Sequence, residues 1–365
     1  MAYFKYEQIA DNLRELILNE TYTVGEKIPT EDELSLQFQV GRQTVRNAVK
    51  LLEESGYLKK VQGSGTYVQK RAVDTERPVP HTDQPGNIAL VMMNSDYVFL
   101  DVMRGASDCL LQRRYMLNPF ITDSDYIKER LVLEQLLENP PAGLIIEPVN
   151  SGLLSVNQPL LEKIAARIPC LMLHADGIKG FPALALRDRE GTKLLTDYLF
   201  SLGHRSIGAL FCCDELTGQN RFRGYWDSVY EHQAEYNPRN IIWVDHCKKE
   251  KLFLESGPHA LDDILDQVSA VVCHDDRAAY RLIQYLRRKG VRVPEEMSVA
   301  GYDDSSYAVL DFPITSVTHP KTKYGKQAAQ ALLDMIDHPG NVNLDAYTIP
   351  PQLVVRKSTA PPAGR

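Results

Sequence analysis

The chain has 365 residues, 44% of them hydrophobic, with 41 Lys and Arg against 48 Asp and Glu for a net charge of −7. This composition belongs to a folded globular protein with material for one large core or two to three smaller ones, and it excludes a disordered chain or one that binds nucleic acid indiscriminately. No run of about eighteen uncharged apolar residues occurs and the start, Met1 to Glu7, lacks a basic stretch before an apolar core, so neither a transmembrane helix nor a secretory signal is expected and the expected compartment is the cytoplasm.

Ile9, Leu13, Leu16 and Ile17 fall at helical spacing. Val24-Gly25-Glu26-Lys27-Ile28-Pro29 breaks that helix. Thr30 followed by Glu31, Asp32 and Glu33 is a capping-box start for a second helix through Phe38. Val40-Gly41 marks a short turn. The third helix carries Val45, Ala48, Val49 and Leu52 on one face and ends at Ser55-Gly56. Residues 57–61 and 66–68 read as strands joined by Gln62-Gly63-Ser64-Gly65. Three helices and a hairpin make a winged helix over residues 1–70. Residues 71–86 are polar and proline-containing, which predicts a linker.

From Asn87 the texture changes. Short apolar runs at 88–93, 116–121, 143–147, 170–173, 207–211, 241–244, 270–273 and 298–300 alternate with helical patterns near 100–114, 125–138, 158–166, 188–202, 219–234, 258–267, 276–289 and 321–337. That alternation predicts an α/β architecture of parallel sheets covered by helices, and its length suits two Rossmann-like lobes over 87–357 with a short tail at 358–365. The six cysteines, Cys109, Cys170, Cys212, Cys213, Cys247 and Cys273, form no C-x-x-C pair. Buried reduced thiols are expected, with no metal site and no cofactor.

Charge is unevenly placed. Between Gln39 and Lys70 the basic residues are Arg42, Arg46, Lys50, Lys59, Lys60 and Lys70 and the acids only Glu53 and Glu54, a local +4 inside an acidic chain. A helix in the major groove presents donors from its first turns. Arg42 and Arg46 lie one turn apart on the face opposite the apolar one, with Gln43 and Thr44 beside them. These four, with Gln62 and Gly63 of the wing, are the candidate contacts to double-stranded operator DNA.

Polar groups also recur at strand ends, where open parallel sheets bind ligands. The ends of the apolar runs carry Asn94-Ser95-Asp96-Tyr97, Glu147, His174, Asp275-Asp276 and Tyr302-Asp303-Asp304, and Arg221 lies near the start of a helix. Among these, Tyr97, Glu147, His174, Arg221, Asp275 and Asp303 are the candidate ligand-binding residues, while Asp276 reads as a cap for the helix after it.

The segments Gly25 to Leu34, Val40 to Arg46, Leu51 to Leu58 and Val61 to Val68 resemble the GntR-type winged helix-turn-helix. Asp32 and Gly41 depart from it: many members carry Arg and Ser or Thr there. Residues 87–357 resemble the LacI/GalR-type sensor, which has the periplasmic sugar-binding-protein fold. The matching pieces are Asp188 to Gly191, Leu202 to Ile207, Arg221 to Tyr225, Cys273 to Ala279, Gly290 to Pro294, Ser298 to Asp304 and Thr315 to Pro320. That resemblance implies that Arg221, Asp275 and Asp303 bind ligand hydroxyls, with Glu147 and His174 lining the cleft. The pairing of the two modules resembles the arabinose-repressor family. It implies a non-enzymatic transcriptional repressor, a homodimer, and a small sugar effector with an L-arabinose-like pentose as first guess. A regulator with the same headpiece that senses a non-sugar metabolite is the alternative.

Overall fold

The computed structural model describes residues 5–18, 22–23, 25–38, 40–54, 57–61, 64–69, 86–95, 97–175, 178, 180–246, 248–253, 260–339, 344–347 and 349–362. Contacts divide the chain into two units, 1–81 and 82–365.

In the first unit three helices, α1 (Lys5–Leu18), α2 (Glu31–Gln37) and α3 (Arg42–Glu54), precede an antiparallel pair, β1 (Leu58–Val61) and β2 (Gly65–Val68), with Leu58 opposite Val68. The capping box forms. The Thr30 hydroxyl accepts from the Glu33 N–H at 3.3 Å, and the Glu33 carboxylate accepts from the Thr30 N–H at 2.7 Å. Two of the helix's orphan donors are thereby satisfied. Ile9 and Leu13 from α1, Leu34 from α2, Val45, Ala48, Val49 and Leu52 from α3, and Leu58 and Val68 from the hairpin form one core. Ser55 and Gly56, the wing residues Gln62 and Gly63, and linker residues 71–85 lie outside the described residues.

The second unit opens at β3 (Gly86–Met92), so Gly86, expected in the linker, is already paired in a sheet. It continues through α4 (Tyr97–Leu111), β4 (Tyr115–Ile121), α5 (Tyr126–Glu138), β5 (Gly143–Ile146), α6 (Gln158–Ala165), β6 (Cys170–Leu173) and β7 (Ala183–Leu184). These strands form an all-parallel sheet in the order β4-β3-β5-β6-β7. Pro119, which cannot donate to a ladder, sits in the edge strand β4.

The second lobe follows: α7 (Asp188–Ser201), β8 (Ile207–Cys212), α8 (Leu216–Glu231), β9 (Ile241–Val244), α9 (Ala260–Leu265), β10 (Ala270–Cys273), α10 (Asp276–Arg288) and β11 (Ser298–Ala300). Its parallel sheet runs β11-β10-β8-β9. β12 (Ser316–Val317) then pairs antiparallel with β13 (Leu353–Val354), and between them α11 (Lys321–Asp337) returns to the first lobe. Tyr324, Ala328 and Leu332 of α11 join Ile88, Leu90, Val102 and Ala106 in its core. The helices α4 and α11 touch backbone to backbone. A Cβ on Gly105 would stand 1.9 Å from the Thr322 carbonyl oxygen, and one on Gly325 equally close to that of Val102.

Several sequence boundaries shift. α4 begins at Tyr97 rather than near 100 because Phe99 turns inward and is buried. α8 begins at Leu216 rather than 219, since Gly218 lets its first turn press on the Cys212 carbonyl, which a Cβ would approach to 2.0 Å. The expected tail is part of the lobe. Ser358 Oγ accepts from the Thr315 N–H at 2.8 Å, the Val299 N–H donates to the Ser358 carbonyl at 2.8 Å, and the Ala360 N–H donates to Ser298 Oγ at 3.0 Å. A short polar segment thus covers the exposed edge of β11, a pairing that local composition does not signal.

Cys109, Cys170, Cys212 and Cys273 are buried free thiols, but Cys213 is exposed and corrects the expectation there; Cys247 lies outside the described residues. Among the described residues no helix is long and apolar enough to cross a membrane.

Candidate functional site

On the headpiece, α3 buries Val45, Ala48, Val49 and Leu52 and turns Arg42, Gln43, Arg46, Asn47 and Lys50 to solvent; Thr44 is half-buried. Neither arginine stands alone. Arg42 Nε lies 2.6 Å from Asp32, and Arg46 lies 3.1 Å from Glu31, which also meets Lys60 at 3.4 Å. Counting charge only within residues 39–70 missed these acids, because the capping turn of α2 folds back beside the third helix. Gln43 Nε2 donates to Asn47 Oδ1 at 3.1 Å, so both amides share the same exposed face.

In the second unit, Tyr97, Glu147, His174, Arg221, Asp275 and Asp303 line a single cavity of about 70 Å³. The first three come from α4 and the ends of β5 and β6. The others come from α8, the start of α10 and the loop after β11, so the two lobes face each other across it. Tyr97 Oη donates to Asp303 Oδ2 at 2.9 Å. Burial, then the Asp303 charge, pushes that phenol well above its ordinary range, so it remains a donor. His174 Nδ1 lies 3.0 Å from Glu147 Oε1, and its ring stacks on Tyr324 at 4.8 Å between centroids. Burial works against a charged His174, but the bond to Glu147 outweighs it and raises the imidazole above its ordinary value.

Arg221 is the hub of the second lobe. Its Nε donates to Asp188 Oδ1 at 2.8 Å, a terminal nitrogen donates to Asp303 Oδ1 at 3.2 Å, and another donates to the His274 carbonyl. Its guanidinium lies 3.8 Å over the Tyr302 ring. Burial disfavours its charge, yet Asp188 and Asp303 hold the group firmly cationic. Asp275, rather than Asp276, caps α10: its Oδ1 accepts from the Ala278 N–H at 2.6 Å. Its other oxygen takes Lys249 Nζ at 2.7 Å. Burial alone would raise this carboxyl, but Lys249 holds it well below the usual range. Asp276 instead turns inward, accepting from the Ser305 N–H at 2.7 Å and from the Ser316 hydroxyl at 2.6 Å.

Sequence reasoning missed five further ionisable residues on the same cavity: Glu215, His246, Lys249, His274 and His319. Four of these had a usable signal, since Glu215, His246, Lys249 and His274 each follow a strand end within a few residues. His319 lacked one. It reaches the cavity because the chain crosses between lobes after β12. Glu215 ties two imidazoles, His246 Nδ1 at 2.5 Å and His274 Nε2 at 3.1 Å.

Residues 5–68 match the bacterial regulatory proteins of the gntR family, and residues 196–359 match the periplasmic binding protein-like domain. The chain is 32% identical over 365 residues to the arabinose metabolism transcriptional repressor of Geobacillus stearothermophilus, covering 97% of each. It is likewise 32% identical over 364 residues to that of Halalkalibacterium halodurans, covering 98% of this chain and 96% of the relative. The transcription regulator CcpA of Lactococcus lactis shares the fold, with a TM-score of 0.65 at 20% identity over 75% of this chain and 99% of that one. With its gntR-type headpiece and periplasmic binding protein-like sensor, the chain belongs to the family of arabinose metabolism transcriptional repressors, the sugar-sensing DNA-binding repressors.

Proposed function

We propose that this repressor binds operator DNA through residues 1–70, above all Arg42, Gln43, Thr44, Arg46 and the wing residues Gln62 and Gly63. A neutral pentose, L-arabinose first, fills the sensor cleft and releases the operator. Tyr97, Glu147, His174, Arg221, Asp275 and Asp303 hold its hydroxyls. Residues 71–85 link the modules, the lobes from Gly86 through the segment at 358–360 sense and dimerise, and the protein works in the cytoplasm by binding rather than catalysis.

One observation carries the ligand class. Glu147 Oε2, His174 Nε2, His274 Nδ1 and both ring nitrogens of His319 are buried without a hydrogen-bond partner among the described residues, and all four residues line the same cavity. Unpaired buried polar atoms are costly, and here a ring of hydroxyls satisfies them. The charges argue the ligand is neutral: Arg221 is matched by Asp188 and Asp303, Lys249 by Asp275, and His174 by Glu147. A phosphate or carboxylate would meet acids already in place. A cavity of about 70 Å³ has no room for a longer sugar. Exposed Leu100, Met116, Tyr126, Ile127 and Leu131 on α4, β4 and α5 offer an apolar surface for a second copy.

The test is an operator mobility shift with L-arabinose, D-ribose and a pentose phosphate, with thermal melting as the readout of binding. L-arabinose should raise the melting temperature and free the operator, and the phosphate should do neither. Undiminished operator binding at saturating L-arabinose, or stabilisation by the phosphate alone, would overturn the reading.

A further inference from the structure

A thiol, a carboxylate and an imidazole meet on the second-lobe side of the cleft. The Cys212 sulfur, a Glu215 carboxylate oxygen and a His274 ring nitrogen lie within 4.8 Å of one another, and all three residues are buried. Topology puts them there. β8 and β10 are parallel neighbours with Leu210 beside Cys273, so Cys212 at the end of β8 and His274 just past β10 emerge together. Glu215 directly precedes α8, whose first turn Gly218 allows against the Cys212 carbonyl. Because one sheet supplies every ligand, the cluster is assembled without lobe movement.

We propose that Cys212, Glu215 and His274 bind a divalent transition-metal ion of the zinc class, which the family assignment does not call for. Mixed sulfur, nitrogen and oxygen donors suit zinc and its neighbours and not magnesium or calcium. Three protein ligands leave a coordination position for water. The thiolate and carboxylate together offset the ion's two positive charges. Binding forms an S–metal bond at Cys212 and releases the thiol proton to solvent; without metal, burial keeps that thiol protonated. The nearby Lys249 ammonium is held by Asp275 at 2.7 Å, so its charge is already compensated. The metal site does not rest on the sugar assignment.

The full-length protein is titrated with Zn²⁺ against a chromophoric chelator, and with Co²⁺ read by absorbance. The expected result is one ion per chain with a thiolate-to-cobalt charge-transfer band. Cys212→Ser should abolish the band, and Glu215→Gln should weaken Zn²⁺ binding by roughly tenfold or more. Cys213→Ser, which alters the exposed neighbour, should leave both unchanged. No band, a band that survives Cys212→Ser in a folded protein, or one that vanishes with Cys213→Ser overturns the proposal. If Cys212→Ser does not fold, Glu215→Gln decides: retained affinity overturns the site, and lost affinity supports it. Zinc binding that persists while every sugar fails to release the operator would strike the sugar reading alone.

Discussion

The headpiece and the sensor cleft both hold their arginines against carboxylates, but in different surroundings. Arg42 and Arg46 on α3 are 61% and 55% exposed beside Asp32 and Glu31, whereas Arg221 is 5% exposed between Asp188 and Asp303. Exposed pairs are screened by water and salt and contribute little, so their partners can be exchanged. An arginine that trades a carboxylate for a DNA phosphate loses little and releases counterions. A buried pair cannot be traded this way, because breaking it strands a charge in a low-dielectric interior. The headpiece arginines are therefore available for a partner, while Arg221 is a fixed part of the cleft wall that orients Asp303 and, through it, Tyr97.

Four experiments test that contrast. The largest effect is expected from Arg221→Ala, which leaves Asp188 and Asp303 buried without their cation. Loss of about 3–5 kcal/mol is anticipated in chemical denaturation of the full chain, together with loss of the sugar response. A change no bigger than that of a surface pair would erase the distinction. Arg46→Ala should leave folding nearly intact and weaken operator binding by about 1–3 kcal/mol, with a salt slope lower by about 0.9 if the contact is to a phosphate. Binding isotherms at several salt concentrations read both quantities, and an unaltered affinity would remove Arg46 from the DNA face.

The third concerns protons. Burial, then the charges of His174, Lys321 and Arg221, holds His319 well below its ordinary value of 6.5. The unfolded chain takes up that proton first on acidification, so the stability His319 contributes is present above about pH 6.5 and is lost as pH falls toward its folded value. His174, raised chiefly against burial by Glu147, has the opposite sign: its contribution is full below 6.5 and fades as pH rises through the raised value. Melting curves between about pH 7 and 5 should therefore be flatter for His319→Gln than for the parent. An identical pH dependence in the two proteins would show that His319 titrates normally. The smallest effect is reserved for Asp32→Asn. Freeing Arg42 from a pair this exposed should tighten operator binding by roughly twofold with little change in melting temperature, and weaker binding would mean that Asp32 orients Arg42 instead of competing for it.

Much of this molecule is written in local pattern. The capping box at Thr30 and Glu33, the apolar stripe Val45 to Leu52 and the alternation of short apolar runs with helices depend on neighbours a few residues apart. Strand ends marked by Glu147, His174 and Asp275 were legible for the same reason: polar residues abruptly follow apolar ones.

Other features arise only when distant segments meet. Glu31 and Asp32 reach the α3 arginines because α2 packs against α3, and α11 joins the first lobe because Gly105 and Gly325 let two backbones touch. His319 reaches the cleft on a crossover, and Ser358 to Ala360 complete a sheet edge more than fifty residues upstream. Short-range periodicity and capping are enough to mark which segments are helix, strand and headpiece. Which charges are neutralised and which polar atoms wait unpaired is set by long-range contacts, because burial and ion pairing are properties of segments brought together by the folded chain.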